Sequence, residues 1–190
     1  MFEQYVNNSS VRAVLDVIAY CEGTGSDYNI IYSGRRFSGY AGHPHQTICA
    51  GKYCSDAAGR YQFLGATWEG LRRQYGFADF SPVNQDLGAI ALISQKGALS
   101  NVLSGDLAGA VQKIKGVWPS LPGGSQQTRN WTQVSSFYAQ RAGGAQQLNV
   151  LGSGFPAFTL PDLSGGETEQ GGKYLLWLMV GLVLVRVIRG

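Results

Sequence analysis

The residue best suited to chemistry is Glu22, within Tyr-Cys-Glu-Gly-Thr at residues 20–24. Apolar residues at Val14, Leu15 and Ile18 follow the spacing of one helical face, and Glu22 continues that face. Burial and the negative end of the helix dipole both disfavour a charged carboxylate there, so they predict a raised pKa. A general acid at neutral pH needs such a pKa. The alternative is a solvated glutamate at a fraying helix end, and these residues alone leave both interpretations open.

Glycoside cleavage is the reaction that would use this carboxyl group. It requires an acid to protonate the leaving oxygen, and ordinary hydrolysis requires a second carboxylate. Asp27 and Asp56 are the nearest in sequence, and neither has a setting that favours this role. A Ser-His-Asp nucleophile set is not visible, because His43 and His45 share one loop. The aromatic and amide residues suited to lining a sugar-binding cleft are Phe37, Tyr40, Tyr61 and Gln62.

The elements that must position these residues are mostly helical. A serine at position 9 or 10 is predicted to cap the first helix, which ends near residue 21. Residues 29–32 and 35–40 are predicted to form a small β-hairpin beside Glu22, and residues 42–56 an irregular loop. From residue 57, periodicity and capping signals predict four more helices. The predicted fold class is therefore α+β, mostly α, with residues 1–144 as the globular domain.

The cysteines and histidines allow two interpretations of the predicted loop. Cys49 and Cys54 flank four residues and could form a local disulfide in an oxidising compartment. Together with His43 and His45 they could also form a zinc set, but the spacing matches no common zinc pattern. Neither a metal site nor a cofactor is therefore predicted. Cys21 is expected to be a small buried residue in the first helix.

Composition restricts the classes of partner. The net charge is +3, and there is no long run of lysine and arginine, so nucleic-acid binding has little support. A weak positive charge suits an anionic polymer or surface. Residues 1–10 lack the basic and apolar regions of a secretory signal.

The C-terminal part has a different character. Residues 145–172 are rich in Gly, Ser, Pro and Gln, and we interpret them as a flexible linker. Residues 173–190 contain the apolar run YLLWLMVGLVLV with Arg186 and Arg189 at its far end, which predicts a single hydrophobic helix that anchors the chain in a lipid membrane. The alternative is an apolar tail buried in a partner protein.

Several short motifs follow one another in the chain: AYCEGT at 19–24, FSGY at 37–40, HP at 43–44, AGRYQ at 58–62, DFSP at 79–82, QD at 85–86, KGAL at 96–99 and WPSLPG at 118–123. In this order they resemble the lambda-type phage endolysins across roughly residues 10–144. Each motif is weak alone, but the set in this order is specific. The T4-type phage lysozymes fit less well, because the positions of their aspartate and threonine hold Ile31 and Phe37. The cysteines of the loop and the tail from residue 145 depart from the lambda-type pattern.

The resemblance implies a lysozyme-like fold and a peptidoglycan lytic transglycosylase. Such enzymes cleave the β-1,4 bond between N-acetylmuramic acid and N-acetylglucosamine, and the C6 hydroxyl of muramic acid attacks C1 to give a 1,6-anhydro product. Glu22 would act as acid and then as base, which agrees with the missing second carboxylate. Tyr61 and Gln62 would be cleft residues, and Arg60 would support the local shape. Tyr40 and His43 would lie on the substrate side or directly behind the residues that contact the substrate.

With the predicted anchor, this resemblance leads to a biological expectation. The basic residues after the apolar run favour a cytoplasmic C-terminus, which places the enzyme domain in the periplasm. We therefore expect a membrane-anchored, virion-associated enzyme that opens the wall locally during entry, with virion proteins as partners. The alternatives are a host-lysis endolysin that hydrolyses the same bond and a non-catalytic wall-binding virion protein.

Overall fold

Helix α2, Ser9–Glu22, is the central element in the computed structural model, which describes residues 2–143. Leu15 and Ile18 on its apolar face have no exposure to solvent, and burying each such side chain contributes about 1.5–3 kcal/mol. The predicted serine cap is wrong, because the Asn8 side chain accepts the hydrogen bond from the Val11 backbone at 3.1 Å. The helix ends at Gly23, whose φ of 76° suits glycine.

Six further helices surround α2 in the described part of the chain. They pack their apolar faces against α2 and one another, so that one core includes Trp68, Ile90, Ile114 and Tyr138. Helices α3, α4, α6 and α7 match predicted helices, whereas α1 and α5 are too short for a periodic pattern to show. Their bounds are α1 Glu3–Val6, α3 Gly65–Tyr75, α4 Pro82–Gln95, α5 Leu99–Leu103, α6 Leu107–Ile114 and α7 Trp131–Arg141.

Two small antiparallel hairpins lie between α2 and α3. Strands β1, Ile30–Ile31, and β2, Arg35–Arg36, form the predicted hairpin, with Ile31 opposite Arg35. Strands β3, Ile48–Ala50, and β4, Tyr53–Ser55, form a second hairpin where an irregular loop was predicted. This hairpin has no buried residue, so it lacks the alternating apolar pattern by which a strand is found in a sequence.

The segment between β4 and α3 is not helical, contrary to the prediction that a helix begins at residue 57. Gly59 and Gln62 have φ angles of 79° and 48°, which lie outside the helical region. Ala58 instead forms bridges with Ile31 and Phe63, and α3 begins only at Gly65. A tight non-helical turn therefore occupies residues 58–63, within reach of the end of α2.

The prediction of a mostly helical domain with a small β-hairpin is confirmed for residues 2–143. Within that range, no helix combines the length and the apolar character that crossing a bilayer requires. The predicted linker at 145–172 and the predicted membrane helix at 173–190 both lie outside the described residues.

Candidate active site

Glu22 is the last residue of α2, is half-buried, and contacts the loop at residues 118–123, which comes much later in the chain. The buried Ser120 hydroxyl donates a hydrogen bond of 2.6 Å to Glu22 Oε1. Burial raises the pKa of Glu22, and the Ser120 hydrogen bond opposes this because it favours the carboxylate form. The predicted direction of the pKa shift is therefore confirmed, with desolvation as its main cause.

Two hydrogen bonds hold the 58–63 turn beside Glu22. On one side, Thr24 lies two residues after Glu22, and its hydroxyl donates to the Arg60 carbonyl at 2.6 Å. On the other side, Trp118 lies two residues before Ser120, and its Nε1 donates to the Tyr61 carbonyl at 3.0 Å. The end of α2, the turn and the Ser120 loop therefore form one connected structure around the Glu22 carboxylate.

A buried polar network on the protein side of the 58–63 turn holds it in place. Arg60 donates to the Gly25 carbonyl, the Tyr61 hydroxyl and Asp16, and its side chain is only 7% exposed. Tyr61 in turn donates to Asp86. Because buried charges require partners, these contacts fix the turn in one conformation. Arg60 thus supports the local shape, as expected.

Tyr61 was predicted to line the cleft, and its placement contradicts this. Its ring has no exposure to solvent, and its hydroxyl points at Asp86 and Arg60. Burial and the Asp86 carboxylate raise the pKa of Tyr61 well above its ordinary value, so its hydroxyl keeps its proton. A polysaccharide cannot contact this ring, and Tyr61 therefore stabilises the turn rather than binding sugar.

Phe37, Tyr40 and His43, also predicted as substrate-binding residues, belong to a different cluster built around Phe80. The ring centroids of Phe37 and His43 lie 5.9 Å and 5.0 Å from that of Phe80. Both side chains are buried, which contradicts a direct role in sugar binding for Phe37 and His43. Tyr40 is half-buried, packs edge to face on Phe37, and is the one ring of the three that sugar could reach.

Gln62 is half-buried and remains a candidate for substrate contact. It has a left-handed φ of 48°, and its side-chain amide donates to the Gly59 carbonyl at 2.9 Å. Non-glycine residues rarely adopt this conformation, and those that do are concentrated at functional sites. Glu22, Gln62 and Tyr40 are thus the predicted site residues that solvent can reach.

Ser120 is the site residue that sequence reasoning did not single out. It lies 98 residues from Glu22, so no local spacing could pair the two. The one available signal was its position in the WPSLPG motif at 118–123. Cys21, next to Glu22, is a buried free thiol as expected, and burial raises its pKa to about 11.

The alternative zinc set of two histidines and two cysteines does not form, because Cys49 and Cys54 are joined in a disulfide between facing residues of β3 and β4. The local pairing considered for these two cysteines is confirmed. His43 and His45 instead lie close to Asp56.

Comparison with known proteins places this geometry in a family. The sequence model named Endolysin matches residues 12–146. The chain belongs to the endolysin family. It is 37% identical over 125 residues to the endolysin of Escherichia phage lambda, an alignment that spans 61% of this chain and 79% of the relative. The endolysin of Escherichia phage P2 is 34% identical over 134 residues, spanning 61% and 81%.

Solved structures agree with this membership. Bacteriophage lambda lysozyme in complex with a chitohexasaccharide is similar with a TM-score of 0.67 and 32% identity, over 72% of this chain and 96% of that one. A second lambda lysozyme structure gives a TM-score of 0.63 at 32% identity, over 72% and 95%. The resemblance to lambda-type endolysins is therefore confirmed.

Proposed function

We propose that this endolysin, a lambda-lysozyme-like peptidoglycan lytic transglycosylase, uses Glu22 as its only acid–base group. The bond cleaved is the β-1,4 linkage between N-acetylmuramic acid and N-acetylglucosamine. The observation that carries the proposal is the half-buried Glu22 carboxyl, held at the end of α2 by Ser120. The proposed reaction uses this one carboxyl group and requires no second carboxylate.

In the first half of the reaction, protonated Glu22 transfers its proton to the bridging oxygen. The bond between muramic acid C1 and that oxygen breaks, and N-acetylglucosamine leaves with a free hydroxyl group. Positive charge develops at C1, and the new Glu22 carboxylate stabilises it electrostatically. The raised pKa of Glu22 favours the protonated form that this step requires.

In the second half, the C6 hydroxyl of the same muramic acid attacks C1. Its proton passes to the Glu22 carboxylate, which restores the acid for the next cycle. The product is a 1,6-anhydro ring, and no water is consumed. The Ser120 hydroxyl donates to Glu22 while the carboxylate is charged, so it stabilises the intermediate state of the acid.

We assign the chain to host lysis, since the relatives that it matches are themselves endolysins. This favours the alternative of a lysis enzyme over a virion-associated one, although the proposed chemistry remains transglycosylation. The domain would act in the periplasm, where its polymer substrate lies. Immunoblotting of washed virions tests this assignment, because a protein stably present in the particle would instead support a role during entry.

The membrane anchor at 173–190 stays a prediction from the sequence. Fractionation of expressing cells would test it with the full chain and a chain shortened to residues 1–144. If the anchor is correct, the full chain sediments with membranes in high salt and the shortened chain does not. Equal distribution of the two chains would contradict it.

The chemical proposal is tested with Glu22→Gln, which keeps the shape and the hydrogen-bond acceptor but cannot deliver a proton. We expect the purified variant to fold normally and to lose wall-clearing activity by at least about 100-fold, the usual contribution of general acid–base catalysis. Clearing at the wild-type rate would exclude Glu22 as the acid. A wall-binding protein without activity would show no loss, since the wild type would not clear walls either.

Mass spectrometry of released muropeptides distinguishes the two enzyme classes. Anhydro products are lighter than hydrolysis products by one water. We expect the anhydro series from the wild type, and a product mixture with only reducing ends would show that the enzyme is a hydrolase.

A further inference from the structure

Two histidines and one aspartate meet where the loop before the second hairpin reaches helix α3. One ring nitrogen each from His43 and His45 and one carboxylate oxygen of Asp56 all lie within 4.8 Å of one another. None of these side chains has a part in the proposed chemistry at Glu22. Imidazole nitrogen and carboxylate oxygen are the ligand types that bind divalent transition metals, zinc above all.

Hydrogen bonds determine which ring nitrogens can bind an ion. His43 Nε2 lies 2.9 Å from the Phe63 carbonyl, so it carries the proton and leaves Nδ1 as the atom with a lone pair. His45 Nε2 lies 3.3 Å from Glu69 Oε1, so its proton is directed to that carboxylate and Nδ1 again has the lone pair. A metal-bound histidine commonly donates its second N–H to a carbonyl or a carboxylate in this way.

Gly65 leaves the space that the cluster needs. A Cβ atom at this position would lie 2.6 Å from both His45 Nδ1 and Asp56 Oδ2. Any side chain there would push these two atoms aside, whereas glycine allows them to converge on one point. The Gly65 backbone also donates to Asp56 Oδ2 at 3.1 Å, which orients the carboxylate while other lone pairs stay available.

We propose that His43, His45 and Asp56 form a zinc-binding site, with Glu69 and the Phe63 carbonyl orienting the two histidines. Three protein ligands leave one position of a tetrahedral ion for water. This inference departs from the expectation that no metal is bound, and it does not depend on the proposed function.

Binding requires only a small closure of the cluster. Ligand atoms about 2.0–2.2 Å from a tetrahedral zinc ion lie about 3.4 Å from each other, so the most widely separated pair must approach by at most about 1.4 Å. The half-exposed His45 side chain can make this movement. The ion would replace the hydrogen bond of 3.2 Å from the His45 backbone to His43 Nδ1, which is the one contact that occupies a ligand atom of His43.

The consequence would be a metal link between the two segments that flank the β3–β4 hairpin. His43 and His45 precede the β3–β4 hairpin and Asp56 follows it, while Glu69 belongs to α3. Binding of zinc would therefore hold the two ends of the exposed hairpin together, while Glu69 orients His45 from α3. Hydrogen exchange of the loop amides should slow in the zinc-bound protein, because their opening would require loss of the ion.

The test uses the full chain with its disulfide intact, stripped of metal with a chelator and titrated with Zn²⁺ in a calorimeter. We expect saturable binding of one ion per chain. When cobalt replaces zinc, we expect the visible absorption band that is typical of Co²⁺ in a tetrahedral protein site. His45→Gln should weaken binding by at least about 100-fold, and Glu69→Gln by about 10–100-fold. The cysteine pair changed to serine should bind zinc as the wild type does, because the thiols are not ligands.

Two variants separate a built site from a surface histidine. Arg72 is the other partner of Glu69, at 2.9 Å, so Arg72→Gln should leave zinc affinity intact or increase it. Gly65→Ala should weaken binding although it removes no ligand. Absence of saturable binding would overturn the proposal. So would affinity that His45→Gln or Asp56→Asn leaves unchanged while circular dichroism shows both variants folded.

Discussion

Removal of the Ser120 hydroxyl is the most direct test of how the fold controls Glu22. In the wild type this hydroxyl donates to Glu22 Oε1 at 2.6 Å, and the residue is buried. Ser120→Ala removes the donor and leaves the backbone of the WPSLPG loop unchanged. The hydrogen bond is stronger when Glu22 is a carboxylate than when it is protonated, so its loss affects the two forms unequally.

The size of the effect follows from that difference. A hydrogen bond to a charged group contributes about 1.5–3 kcal/mol and a neutral one about 0.5–1.5 kcal/mol. The transition state, in which Glu22 is becoming a carboxylate, therefore loses about 1–1.5 kcal/mol more than the ground state. This corresponds to a decrease in kcat of about tenfold.

The pH dependence should change in a direction that a purely structural role would not produce. As the acid, Glu22 must be protonated, so activity falls as the pH rises through its pKa. Loss of the donor raises that pKa further, and the alkaline limb of kcat/KM against pH should move to higher pH. The assay is turbidity loss of purified cell walls over a pH series.

Two control variants accompany this measurement. Ser120→Thr keeps a hydroxyl group and should restore the wild-type limb. Ser104→Ala removes an exposed serine hydroxyl that donates to the Asn101 carbonyl, away from Glu22, and should change neither rate nor profile. If Ser120→Ala has the rate and alkaline limb of the wild type, the reasoning about Glu22 is refuted.

Three further predictions concern stability. Because burial raises the pKa of Glu22 in the folded state, folding loses stability as the pH rises above the ordinary glutamate pKa. Glu22→Gln should therefore raise Tm at neutral pH, with a gain that disappears in acid, as differential scanning calorimetry would show. Thr24→Val leaves the buried Arg60 carbonyl without its 2.6 Å donor and should lower the free energy of unfolding in urea by about 1–3 kcal/mol. Gly59 has a φ of 79°, and in Gly59→Ala the new Cβ would lie 2.3 Å from the buried Gln85 amide oxygen. This change should lower the free energy of unfolding by about 2–5 kcal/mol in the same assay. Gly70→Ala, whose Cβ would have no neighbour within 4 Å, should be neutral or stabilising.

The helices that carry the core were predictable because their signals are local. Pro82 follows the N-cap position of α4, and Asp106 at the N-cap of α6 accepts from the Gly109 backbone at 2.8 Å. Gly76 follows the last residue of α3 and has a φ of 73°. Each signal acts over one or two turns of helix, so it can be read without knowledge of the rest of the fold. The position of Glu22 at the end of α2 was predictable for the same reason.

The environment of the other site residues was not predictable in this way. Tyr61 and Gln62 are neighbours in the chain. Tyr61 is buried and donates a hydrogen bond to Asp86, whereas Gln62 is half-buried and reaches solvent. This division depends on the left-handed φ of Gln62 and on partners from other elements. A sequence pattern that treats both residues as cleft residues cannot distinguish them.

The sequence by itself determined the helical framework, the place of Glu22 on it and, through the order of the motifs, membership of the endolysin family. Only the tertiary structure decided which residues touch Glu22, that Tyr61, Phe37 and His43 are buried, and that His45 meets Asp56. The physical reason is range. Capping and periodicity act between residues a few positions apart, whereas burial and the contact from Ser120, 98 residues away, arise when distant segments pack together.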